Sequence, residues 1–173
     1  MAQQQHRITA AGGQVVAVVI DPPERNAAMV DKLGLPFPIL SDPDGAEASR
    51  RYDVWDDDGS MAKPAVVVVR PDGTEVFRQV GGDFADRITE DELVDRLQEL
   101  DLPAATQEPP QPGEPVPGPK AVQLATLPAY YRGAKFAVTA VKGRVPEAQD
   151  TAERLLAEYD RYLAALDWHQ DRR

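Results

Sequence analysis

Cysteine is absent from all 173 residues. That excludes a disulfide framework, a thiolate metal site and any thiol chemistry by this polypeptide alone. Histidine is nearly absent as well. His6 and His169 stand near opposite ends of the chain, with no matching ligand cluster, so no metal and no other cofactor is expected. No apolar stretch approaches the roughly 18 residues needed to cross a bilayer, and residues 1–7 do not form a signal peptide. The expectation is a soluble, cytoplasmic chain with no membrane span. Positive charge is scarce, 19 Lys and Arg against 29 Asp and Glu, for a net charge of -10. Such a balance argues against nucleic acid as a partner and against a polybasic membrane anchor.

What is present is organised unevenly. Residues 1–119 hold 10 basic against 22 acidic side chains, a net of -12, whereas residues 120–173 hold 9 against 7, a net of +2. The most informative stretch is residues 62–79. Its apolar run, Val66, Val67, Val68 and Val69, enters the turn Arg70-Pro71-Asp72-Gly73 and leaves through an alternating second strand. Pro71 presets φ and Gly73 tolerates a positive φ, which predicts a hairpin. Residues 15–20 form a continuous apolar run, the pattern of a strand buried on both faces of a parallel sheet. A helix is predicted from Glu24 to Leu33, stopped by Gly34. A short helix is expected over residues 46–52, ahead of Val54, Trp55 and the acidic loop Asp56-Asp57-Asp58-Gly59. Thr89 and Glu92 form a capping box with Ile88 and Leu93 as a hydrophobic staple, and Leu93, Leu97 and Leu100 supply the buried stripe of that helix.

Three segments are predicted: a domain over 1–102, a Pro-rich linker over 103–119 and a mainly helical C-terminal extension over 120–173. The linker holds too much proline for helix or sheet and reads as a semi-extended spacer of about 3 Å per residue. In the extension, residues 135–142 read as a short helix, although Val138, Thr139 and Val141 suit a strand equally well. Pro146 opens a long amphipathic helix with Ala148, Ala152, Leu155, Tyr159, Tyr162 or Leu163, and Leu166 three or four apart. Such a stripe covers either the first domain or a second copy. Tyr130, Tyr131, Leu155, Tyr159 and Leu163 are the candidate packing or interaction residues of this tail, and a protein partner or homodimer is the expected association. Gly81-Gly82-Asp83 lacks the spacing of a phosphate cradle. The acidic loop lacks the Glu that would complete a calcium loop.

Four strings together resemble a known family: residues 14–24, the string Leu33-Gly34-Leu35-Pro36-Phe37-Pro38-Ile39-Leu40-Ser41-Asp42-Pro43-Asp44-Gly45, then Tyr52-Asp53-Val54-Trp55, and residues 63–73. Residues 15–100 are similar to the alkyl hydroperoxide reductase and thiol-specific antioxidant group, the peroxiredoxins of the thioredoxin superfamily, especially their bacterioferritin-comigratory-like branch. The implied fold class is α/β, a truncated thioredoxin-like fold with a mixed sheet flanked by helices, followed by the Pro-rich linker and the helical extension. By the same resemblance Pro64 corresponds to the proline that many relatives hold in the cis form beside the active-site cleft. Lys63 lies where relatives often carry a peroxide-polarising arginine, or else is an exposed lysine ahead of a strand. The two residues mark a vestigial cleft.

The resemblance also implies an omission. The family begins with a strand and a loop bearing the peroxidatic cysteine, and the present chain is expected to start near the end of the following helix, with residues 3–11 as its last turns. No catalytic residue is therefore assigned. The missing strand would lie between residues 15–20 and 66–69. The expectation is that these two runs share one sheet, closing directly or through a donated strand. Three functions stay open: a non-catalytic module acting by protein–protein association, the distal part of a thiol peroxidase or thiol-disulfide oxidoreductase, and a structural subunit of a larger redox complex.

Overall fold

The computed structural model describes residues 1–171. Two compact units divide the chain, Met1–Gly118 and Pro119–Arg173. The first is mixed α/β and the second is helical.

In the first unit a single helical turn leads into α1 (Gln5–Ala10), which stops at Gly12. Gly12 holds φ at +83°, a conformation available to glycine without penalty. β1 (Ala17–Val19) pairs in parallel with β2 (Ile39–Ser41), joined through α2 (Pro23–Leu33). Pro23 opens α2, where its missing N–H costs nothing, and Gly34 closes it in the left-handed region at φ +57°. β3 (Trp55–Asp56) and β4 (Met61–Ala62) form a short antiparallel ladder, and β5 (Ala65–Val69) pairs antiparallel with β6 (Glu75–Val80). In the β5–β6 turn the Gly73 N–H donates to the Arg70 carbonyl (2.9 Å), and the Asp72 carboxylate accepts from the Thr74 N–H (2.9 Å). That last bond holds the Asp72 carboxyl below its ordinary value.

The core lies between α1 and α3 (Glu90–Gln98). Ile8 and Ala11 meet Ile88, Leu93, Val94 and Leu97, and Val15, Val66, Val68 and Phe77 pack against this cluster. The capping box of α3 is complete. Thr89 Oγ1 accepts from the Glu92 N–H (3.2 Å), and Glu92 Oε2 accepts from the Thr89 N–H (3.0 Å). Thr89→Ala should cost about 1 kcal/mol. An unchanged denaturation midpoint for that variant would show the cap to be dispensable.

Several expectations need correction. The two valine-rich runs lie in separate sheets, and among the described residues the three sheets are all two-stranded. Neither direct closure nor a donated strand joins β1 to β5. Both runs nevertheless abut one core, through Val15 on one side and Val66 and Val68 on the other. Residues 15–20 are not buried on both faces either. Val16 is 53% exposed, and Val18 and Ile20 are each 38% exposed. Residues 46–52 form successive turns in place of a helix.

In the second unit α4 (Leu127–Arg144) is far longer than the expected residues 135–142. Pro128 falls in its first turn, where proline is tolerated, and Gly133 does not break it. A single turn at Pro146–Ala148 precedes α5 (Gln149–Gln170). Lys142 pairs with Glu153 (2.7 Å) and Lys135 with Asp160, tying the two helices together.

Candidate functional site

Lys63 and Pro64 occupy the two residues between β4 and β5. The Lys63 N–H donates to the Val54 carbonyl (2.7 Å), and the Pro64 carbonyl accepts from the Gly81 N–H (2.7 Å). The backbone is therefore locked from both sides. The Lys63 side chain is exposed. No cis peptide bond occurs among the described residues, so Pro64 is trans, contrary to what the resemblance implied. Its ties to Val54 and Gly81 fix the strand start without the special bond.

These two residues lead into β5, which is paired to β6 alone. The Pro-rich segment is tied to residues that precede β1 and is no free spacer. The Ala105 N–H donates to the Thr9 carbonyl (2.8 Å), Gln14 Nε2 donates to the Thr106 carbonyl (2.5 Å), and the Val15 N–H donates to Gln107 Oε1 (2.7 Å). Further along, the Val116 N–H donates to the Glu24 carbonyl (3.0 Å). The segment is thus fastened beside the start of β1 and again at the start of α2. Composition alone hides this, because two glutamine side chains and a few isolated amides do the fastening.

A second constellation sits on the family string. Asp42 is 1% exposed. Its carboxylate accepts from the N–H groups of Glu47 (3.0 Å), Ala48 (3.2 Å) and Ser49 (2.8 Å), and from the Ser49 hydroxyl (2.7 Å). Burial works to raise its pKa, but the hydrogen bonds from Ser49, Glu47 and Ala48 together prevail and hold it below the ordinary value. Residues 46–52 close wider turns instead of a regular helix, with Arg50 N–H to Gly45 carbonyl at 2.8 Å and Val54 N–H to Ser49 carbonyl at 2.8 Å. The Arg50 guanidinium lies 5.1 Å over the Trp55 ring and pairs with Asp57 (2.7 Å). One carboxylate of the acidic loop is thereby a structural clamp. Among the described residues no group of three or more His, Asp or Glu is arranged to hold a metal. Sequence reasoning read residues 42–45 as a turn and missed Asp42 itself; the nearby Ser49 was the only available signal.

In the second unit Tyr131 stacks obliquely with Tyr159 (5.9 Å between centroids) and Tyr162 (5.2 Å). Burial, then the neighbouring Tyr130 and Tyr159, push the Tyr131 phenol up. Leu155 and Leu163 are half-buried. Tyr130 meets Tyr131 edge-on but is itself 67% exposed. The tyrosines therefore divide into those that close the hairpin and one that faces water.

A βα unit with a parallel pair, followed by a β-hairpin and a helix on one core, is the arrangement of a redoxin-like α/β protein. Residues 1–76 match the model of the AhpC/TSA family, whereas no curated protein matches the chain. Residues 1–76 are thus similar to the peroxiredoxin-like proteins of the thioredoxin superfamily, in a chain that has no cysteine. The kinship rests on this match and on the strings above, not on a ladder shared by the valine-rich strands. The match ends within β6, so α3, the Pro-rich segment and the second unit lie outside it. Among the described residues no helix is long and apolar enough to cross a membrane.

Proposed function

We propose that this chain is a peroxiredoxin-like module that supplies no thiol of its own and works, in the cytoplasm, by associating with another protein. The observation that carries this reading is the combination of a family scaffold with no cysteine anywhere in the sequence. Peroxide reduction in this family needs a thiolate to attack the O–O bond, and serine or carboxylate side chains do not replace it. Among the described residues β5 meanwhile has a ladder partner on one edge only, and its other edge is suited to receiving an extended segment. Lys63 and Pro64, the vestigial cleft, directly precede that strand.

The purified chain, supplied with hydrogen peroxide and either thioredoxin or glutathione as reductant, is expected to turn over no faster than buffer. Thiol-dependent consumption above that background would overturn the reading. A second reading, the distal part of a thiol peroxidase whose catalytic half is supplied by another polypeptide, draws on the same pair of strands that share a core without sharing a ladder. It would be favoured if peroxide turnover appeared only after adding a cysteine-bearing partner.

A further inference from the structure

The association proposed above leaves open which surface meets which partner. The helical unit narrows it. Residues 120–146 contain Lys120, Arg132, Lys135, Lys142 and Arg144 and no Asp or Glu. Lys135 and Lys142 are spent on α5, through Asp160 and Glu153. The face of α4 turned away from α5 is different in kind. Phe136 is 78% exposed there. The neighbouring outward positions are Gly133, Ala137 and Ala140, small residues that let another surface approach the helix closely. From Phe136 the patch extends toward α5, where Arg132, Lys135, Phe136, Thr139 and Leu163 line an open groove of about 370 Å³. An exposed phenylalanine between arginines, on a helix without a carboxylate, is an apolar anchor inside a cationic rim.

We propose that this face docks on the acidic first unit of a second copy of the same chain. The inference rests on the associating-module reading and adds a partner to it. Charge complementarity selects the occupant. Residues 1–118 carry 10 basic against 22 acidic side chains, a net of -12, and offer exposed apolar residues such as Met61 beside Asp56-Asp57-Asp58. Size points to a reciprocal pair. An 18-residue helix is about 27 Å long and about 10 Å wide, so one such footprint falls short of the roughly 800 Å² per partner of a stable interface. Two equivalent junctions, each copy's helix on the other's first unit, bring the total toward that range and close the assembly as a two-fold dimer.

Sedimentation velocity of the full chain over a range of concentration and salt tests this. The expected result is a monomer–dimer equilibrium that shifts to monomer as salt rises. Phe136→Asp, and separately the pair Arg132→Glu with Arg144→Glu, should each weaken dimerisation by about tenfold or more. All three positions are exposed, and unchanged circular dichroism would show that the fold is intact. A monomer at every concentration in low salt overturns the proposal, as does a dimer indifferent to salt and to both sets of substitutions. Flotation with anionic vesicles by a chain that remains monomeric also overturns it, in favour of a lipid surface. None of these outcomes bears on peroxide turnover, so failure of self-pairing is distinguishable from failure of the functional reading beneath it.

Discussion

Asp42→Ala is expected to lower folding stability by about 2–4 kcal/mol, read as a drop in the urea midpoint at unchanged slope. The substitution deletes a carboxylate that is 1% exposed and strands three backbone N–H groups and one hydroxyl that now donate to it. Buried donors without acceptors carry the full desolvation penalty, so the loss exceeds that of an ordinary surface hydrogen bond. The same residue sets a pH dependence of known sign. Its folded-state pKa lies below the model-compound value of 3.8, so the unfolded chain takes up the proton first. Its contribution is complete above about pH 4 and is lost as pH falls through the folded-state value. Asp42→Asn should remove this component from the acid limb of the stability curve. An acid limb identical in wild type and Asp42→Asn would assign the pH dependence elsewhere.

Gly45→Ala should be of comparable size, about 2–4 kcal/mol, for two reasons that can be separated. Gly45 holds φ at +72°, and a Cβ built there collides with the Trp55 indole. Gly73 provides the control. It holds φ at +87°, yet a Cβ there meets nothing within 4 Å. Gly73→Ala therefore reports backbone strain alone, about 1 kcal/mol, and the excess at Gly45 measures the indole collision. Combining Gly45→Ala with Trp55→Leu should cost less than the sum of the single changes, since the two residues touch. Strict additivity would show that the ring shifts aside freely.

Both predictions fall on residues that carried the family resemblance, and they show what that string does physically. Ser41 to Gly45 ends β2, supplies an internal carboxylate and leaves space for a tryptophan. None of this is peroxide chemistry, so none of it requires a cysteine. Local features were legible for the same reason that they are local. The Thr89–Glu92 cap, the Gly34 stop and the Arg70–Gly73 turn each depend on atoms within a few residues. The failures involve atoms distant in sequence or choices that periodicity does not record. Asp42 captures amides five to seven residues away, which no periodicity records. Gln107 reaches Val15 across 92 residues. The separation of β1 from β5 is a fact about pairing partners, and an apolar run looks the same with one neighbour as with two. α4 runs through Pro128 and Gly133, since the first occupies a permissive turn and the second costs only about 1 kcal/mol. Among the candidate residues, Lys63 and Pro64 adjoin a strand laddered on one edge only. The tail residues proved less uniform than their spacing implied, since Tyr130 faces solvent while Tyr131 closes the hairpin.

The segment between Gln107 and Val116 holds Pro109, Pro110, Pro112 and Pro115, and it is moored beside Gln14 and Val15 at one end and at Glu24 at the other. Imide nitrogens have no hydrogen to give, so those four residues cannot donate to a ladder. A stretch so composed is a poor template for strand propagation.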